Sequence, residues 1–327
     1  MHTEKEKLNN MVKTIFFLLV FFSIVLVLNK MHLKYTLENQ PLLRKEAMYQ
    51  EYIVSLPKKE INYAFFGDSK TDYAINPEYI KSSYNFSSRE ENYVKTYFKF
   101  KKIIEIDKIK INNAIFEIDM HTFSTNWAME NNLFDELYYY SKFTPISEIS
   151  SIKKESMPSV WIEATFPSFG RGVDFKHIWQ KPDLTEIHLG WTKNTDNFST
   201  ADKNKDTVAT YNDHFGGAER ISPVTFDYFG KSLKLAKENA INIFLIMYPI
   251  SPEYDKELTK HGITRDEYYQ AIFDKTTSIL GKDFVVLDYH DLFWNQEEYL
   301  ADTSHLNYIG AEVFSKKVFK DLITFKK

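Results

Sequence analysis

Two short patterns carry side chains whose types and spacing suit acyl transfer. The first is Phe65-Phe66-Gly67-Asp68-Ser69, closing an apolar run over 61–69 that reads as a strand. A serine on such a turn stands at the carboxyl edge of a sheet, where open α/β folds bind ligands. Gly67 is expected to let the backbone turn tightly. The Ser69 amide is expected to face an oxyanion where the next helix begins. Taken alone, the tripeptide also suits an ordinary strand-to-helix cap. The second pattern is Ala301-Asp302-Thr303-Ser304-His305-Leu306-Asn307, just before the last helical stretch. Asp302 and His305 are three positions apart, so a helical turn would put them on one face. The carboxylate would then accept from Nδ1–H and leave Nε2 to take a serine proton. A capping aspartate followed by a partly buried histidine is the alternative for this pattern alone.

Other chemistries have less support. The chain has no cysteine, which removes disulfides, thiolate metal sites, iron–sulfur clusters and thiol nucleophiles. Among 327 residues, 41 are Lys or Arg and 45 are Asp or Glu, a net charge of −4. That balance argues against nucleic acid as a partner. There is no Gly-rich phosphate loop, no Gly-x-Ser-x-Gly elbow and no His-Glu-x-x-His, so no cofactor is expected. Asp119 and His121 lack a third ligand at motif spacing, so no metal is expected. Asp68 is read as fixing its turn through backbone amides, and Lys70 as a solvated lysine or as a group that attracts phosphate.

The elements that must position Ser69 and His305 alternate along the chain. After the 61–69 run come a short strand at 82–88, a helix over 91–107 and a strand at 112–123. A helix over 225–239, a strand at 241–250, a helix over 263–280, a strand at 284–293 and a helix over 309–325 follow. This alternation predicts a parallel sheet with helices on both faces, a three-layer α/β/α sandwich. An insertion at about 124–222 holds Trp127, Trp161, Trp179 and Trp191. These are read as core packing for an added subdomain, or as a sugar-stacking platform. The polar stretch 192–217 reads as a lid, binding loop or disordered segment.

The N-terminus departs from this average. Ile15 to Leu28 is an unbroken apolar run but for Ser23, and Met11 to Asn29 gives 19 residues. A crossing takes about 17–25 residues, and no small-residue cleavage site follows. The expected layout is a cytoplasmic tail (1–10), a transmembrane signal anchor (11–30), a stalk (31–60) and an extracytoplasmic domain (61–327). The stalk is expected to carry one helix from Pro41 to Tyr52.

With a Gly-Asp-Ser after the first strand and an Asp-x-x-His before the last helix, the chain resembles the SGNH/GDSL hydrolase family. The resemblance covers roughly 60–125 and 220–325. GDSKTDYAINP and SHLNYIGAEVFSKKV look more specifically like membrane-anchored bacterial members. These include the DltD-type proteins of teichoic-acid D-alanylation and related polysaccharide O-acyltransferases. The resemblance implies an SGNH-hydrolase-like, flavodoxin-like fold with Ser69 as nucleophile, His305 as general base and Asp302 as its orienter. It implies an acyl donor, a cell-envelope polymer or carbohydrate acceptor, and a membrane-bound O-acyltransferase as partner. The family's second block supplies a glycine amide to the oxyanion hole, yet Asn85 to Asn92 contains no glycine. Glu90 and Asn92 in that stretch, with His121 and Lys70, are the remaining oxyanion or substrate candidates. An esterase and a non-catalytic, polymer-binding protein of the same fold are the alternatives.

Overall fold

The computed structural model describes residues 2–39, 41–56, 58–127, 136–166, 185–198, 203–216 and 221–325. In chain order the elements are α1 (His2–Asn39), α2 (Pro41–Ser55), β1 (Glu60–Phe66), α3 (Ser69–Ala74), β2 (Ser83–Asn85), α4 (Tyr93–Lys101) and β3 (Lys110–Glu117). Next come α5 (Leu137–Tyr140), α6 (Ile146–Lys153), α7 (Met157–Thr165), β4 (Ile187–His188), β5 (Trp191–Thr192) and α8 (Lys203–Phe215). The chain closes with α9 (Pro223–Glu238), β6 (Asn242–Met247), α10 (Pro252–Lys260), α11 (Arg265–Leu280), β7 (Phe284–Asp288) and α12 (Tyr308–Thr324).

The chain forms an α/β fold around a five-stranded parallel sheet of order β2-β1-β3-β6-β7. Counted among themselves, these strands run 2-1-3-4-5, the flavodoxin-like order. The order reverses beside β1, so the turn carrying Ser69 stands at the switch point. The strands are apolar without strict alternation because both faces are covered. On one face Tyr63, Phe65, Ile115, Phe244 and Ile246 pack with Phe314, Val318 and Leu322 of α12. On the other, Phe66 and Phe116 pack with Phe100 of α4. There α9 lies against α4 and α11. Truncating a buried ring such as Phe116 to alanine is expected to cost about 3–5 kcal/mol.

Several elements are shorter than the sequence suggests. The 82–88 strand narrows to β2 because Asn85 turns the chain. Its amide donates to the Thr71 and Ile75 carbonyls, and its oxygen accepts from Ser87 N–H. The 112–123 strand stops at Glu117, and Met120–Phe123 forms a 3-10 turn after Asp119. The 91–107 helix is capped by Asn92, ends as α4 and continues as a wide turn over Lys102–Ile106. The polar 192–217 stretch, read as a loop, contains α8.

The chain divides into two compact units, Met1–Arg44 with Glu136–Leu184, and Lys45–Asp135 with Thr185–Lys327. In the first unit α1 includes Glu6–His32, which is long and apolar enough to cross a membrane. Asn29 there donates to the Thr165 carbonyl at 3.3 Å. The expected 31–60 stalk is helical in α1 and α2. From Lys45 onward its residues belong to the second unit, where Tyr49 packs on Tyr84 and Phe86 and the Lys45 ammonium pairs with the buried Asp72. The insertion is shared between the units. Its hairpin β4–β5 lies in the second, where the Leu189 carbonyl accepts from Asn85 N–H at 3.1 Å. Gly190, at φ +84°, leaves room for the Asn85 carbonyl that a Cβ would strike.

Candidate active site

Every group of this site lies in the second unit. The turn after β1 is built by close approach. Gly67 is not in the left-handed region; its role is space. A Cβ there would sit 2.1 Å from Thr71 Oγ1 and 2.2 Å from Glu117 Oε2. Asp68 then caps α3, its Oδ1 accepting from Lys70 N–H at 2.9 Å. The Asp68 amide donates to Glu117 Oε2 at 2.9 Å. These bonds fix Ser69 as the first residue of a six-residue helix.

Ser69 Oγ lies 2.8 Å from His305 Nε2, and His305 Nδ1 lies 2.8 Å from Asp302 Oδ2. The expected helical turn is not how Asp302 and His305 meet. They stand on the loop before α12, whose cap is Asn307. Asp302 Oδ1 accepts from the amides of Ser304 and His305 at 2.8 and 2.9 Å, folding the loop around its own carboxylate. Burial pulls the His305 imidazole down, but the charge and hydrogen bond of Asp302 outweigh it and raise its pKa. Burial likewise raises the Asp302 carboxyl, while His305 and the two amides overcome that and lower it. The arrangement suits removal of the Ser69 proton and storage of positive charge on the imidazole.

The other candidates go elsewhere. His121 bonds through Nε2 to Asp68 Oδ2, not to the space before Ser69. Its ring stacks on His214 at 4.2 Å between centroids, with the edge of Trp127 alongside. Burial would raise the Asp68 carboxyl, yet the His121 charge and hydrogen bond, with Lys70, hold it at about 2. The His214 imidazole, which bonds the Tyr254 hydroxyl, is pushed well down by burial and by the nearby His121, Lys70 and His305. Lys70, expected in solvent, is 4% exposed and points inward, its Nζ 3.2 Å from Asp119 Oδ2. Asn92 is occupied as the α4 cap, accepting from Val94 and Lys95 amides. Glu90 is exposed at φ +56°, a conformation that usually favours glycine. Its carbonyl accepts from Lys95 Nζ at 3.2 Å.

Sequence reasoning missed Glu117, Tyr73, Arg89 and Asp206. Glu117 accepts from Thr71 Oγ1 at 2.6 Å as well as from Asp68 N–H. Burial, then the charges of Asp68 and Asp119, push its carboxyl well up. Asp68, Glu117 and His121 each bring a ligating atom within 4.8 Å of the others and could hold a metal ion. Those groups already bond one another or the Asp68 amide and Thr71 hydroxyl. Asp206 of α8 accepts from Thr303 N–H at 3.4 Å, bracing the Asp302 loop. Among the tryptophans, Trp191 is buried with Nε1 donating to the Tyr73 carbonyl at 2.8 Å, and Trp127 Nε1 donates to the Glu91 carbonyl at 3.3 Å. Trp161 is exposed on α7, and Trp179 lies outside the described residues.

No protein-family model matches the chain, and no curated protein does. Among solved structures, the chain is similar to a protein of Bacteroides fragilis named as an acylhydrolase, at 10% identity and a TM-score of 0.40, covering 84% of this chain and 94% of that one. It is also similar to a GDSL-like lipase of Bacteroides thetaiotaomicron, at 9% identity and a TM-score of 0.38, covering 85% and 96%.

Proposed function

We propose that this chain is a serine-dependent acyl-transfer enzyme. Ser69 Oγ attacks an acyl carbonyl, and its proton passes to His305 Nε2 while Asp302 steadies the imidazolium through Nδ1–H. The tetrahedral intermediate collapses, expelling the donor's leaving group, which takes the proton from His305, and a Ser69 ester remains. A hydroxyl of a carbohydrate or polyol then gives its proton to His305 and takes the acyl group, and His305 returns the proton to the departing Ser69 Oγ. Water in place of that hydroxyl makes the same site an esterase. The observation that carries this reading is the unbroken contact from Ser69 Oγ through His305 to Asp302.

The acceptor we infer is a cell-envelope or exported polymer of polysaccharide or teichoic-acid type, met outside the cell membrane. Support for the membrane comes from Glu6–His32, with a mean hydropathy of 2.7 over its most apolar window. The resemblance implies a membrane-bound O-acyltransferase as the partner that delivers the acyl group.

The test uses the full-length chain in detergent with p-nitrophenyl acetate. Ser69-dependent release of nitrophenol and an acyl adduct on Ser69 by mass spectrometry are expected. Equal release by the parent and Ser69→Ala, with no adduct from any ester donor, sinks the proposal.

A further inference from the structure

Beyond the Ser69–His305 pair, the second unit holds a half-buried arginine, Arg89, whose Nε is buried without a hydrogen-bond partner among the described residues. The segment after β2 keeps register with the nucleophile turn. Phe86 N–H donates to the Phe65 carbonyl at 2.8 Å, and Ser88 N–H to the Gly67 carbonyl at 3.3 Å. Arg89 is the next residue. Its guanidinium carbon lies 5.1 Å from the centroid of the Tyr73 ring. Tyr73 in turn meets the His305 imidazole edge-on, with centroids 5.3 Å apart. A guanidinium thus stands one ring away from the imidazole that bonds Ser69.

Among the described residues, four buried lysines have a carboxylate partner, and the buried Lys95 donates to the Glu90 carbonyl at 3.2 Å. Lys45 pairs with Asp72, Lys70 with Asp119, Lys99 with Glu91, and Lys102 with Glu46 and Asp107. Arg89 is half-buried and its Nε is fully buried, yet among the described residues Nε has no hydrogen-bond partner and no carboxylate pairs with the guanidinium. An unmatched guanidinium is costly to bury, and an incoming anion that paired with it would remove that cost. Its planar fork suits two oxygens of one anion. Burial raises the Tyr73 hydroxyl to about 12, with Arg89 working against that, so the ring stays neutral beneath the guanidinium.

We propose that Arg89, stacked on Tyr73, binds an anionic oxygen group of the substrate, a phosphate or a carboxylate, next to the reacting hydroxyl or acyl group. This rests on Ser69 and His305 being the reacting pair, and it narrows the substrate to an anionic one. Lys70, the sequence's candidate for that task, is committed to Asp119.

The test measures binding apart from turnover. The full-length chain in detergent is titrated calorimetrically with methyl phosphate and, separately, with acetate; the anion that binds more tightly identifies the group. Arg89→Gln is expected to weaken that binding at least about tenfold. Arg89→Lys, which keeps charge but loses the fork, is expected to fall between and serves if Arg89→Gln does not fold. In acyl transfer from p-nitrophenyl acetate, the parent is expected to prefer glycerol phosphate to glycerol, and Arg89→Gln to lose the preference. Unchanged anion affinity in both variants, or no binding of either anion by the parent, overturns the proposal. Absence of Ser69-dependent turnover with Arg89-dependent anion binding intact overturns the catalytic reading and upholds the anion site.

Discussion

Lys70 Nζ and Asp119 Oδ2 face each other at 3.2 Å inside the second unit, one residue beyond the hydroxyl that bonds His305. The contact is a charge pair without hydrogen-bond alignment, since Asp119 Oδ2 has no hydrogen-bond partner. Asp119 Oδ1 accepts from Tyr248 N–H at 3.2 Å, tying the pair to the end of β6. Breaking one side leaves a buried carboxylate unmatched, so Lys70→Met is expected to destabilise by about 3–5 kcal/mol. Urea unfolding at neutral pH checks this. Adding Asp119→Asn should restore much of the loss; if Lys70→Met alone is neutral, the pair does not support the fold.

The pH profile of ester turnover follows from His305. The base must be neutral, and its pKa is raised in the fold, so kcat/KM should climb with pH along a limb centred above the ordinary value of about 6.5. Asp302 is what raises it. Asp302→Asn should therefore move the limb to lower pH while cutting the rate by roughly 10³–10⁴. A limb that stays in place would separate Asp302 from the imidazole.

Glu117 makes the opposite kind of statement about stability. Its folded pKa lies well above the unfolded one, so the folded state holds the proton more tightly. Stability should then decline as pH rises above about 4.3, the free carboxyl value. Asp68, held at about 2, titrates below that window. Glu117→Gln keeps an acceptor for the Asp68 amide and Thr71 hydroxyl and removes the titration. It should flatten the decline between pH 5 and 8 and leave the variant at least as stable at pH 8. A slope equal to the parent's in urea unfolding would show that Glu117 ionises freely.

Gly67→Ala tests the close approach behind Ser69. The new methyl meets Thr71 Oγ1 and Glu117 Oε2, and neither is a free side-chain end, since they bond each other. A loss of about 1–3 kcal/mol is expected from overpacking. Displacing Ser69 by even about 1 Å should cost roughly 10²-fold in turnover. Unchanged turnover in Gly67→Ala would mean that the turn yields without moving the hydroxyl.

These groups differ in how far the sequence disclosed them. The strands were legible because both sheet faces are covered, which leaves apolar runs such as 61–66 and 242–247. The contact of Ser69 with His305 and of His305 with Asp302 was legible because each residue lies in a short pattern with a chemical reason for its spacing. The direction of Lys70 was not. A lysine after such a serine reads as solvated unless one knows that Asp119 follows the end of the neighbouring strand β3 and faces it. The helix α8 was hidden because Lys203, Asn204, Lys205 and Asp206 open it with no apolar stripe. Arg89 carried no signal, since nothing in the sequence shows that no acid among the described residues would pair with it.

The hydrogen bond between Ser69 and His305 spans 236 positions, and the bond from Asn76 N–H to Ser315 Oγ spans 239. The first strand's turn is thus completed by the end of the chain. During synthesis the hydroxyl is present early but has no His305 beside it until the last loop and α12 have emerged and docked. A growing or truncated chain therefore carries Ser69 without His305 beside it, and the meeting of the two is itself a late, long-range folding step.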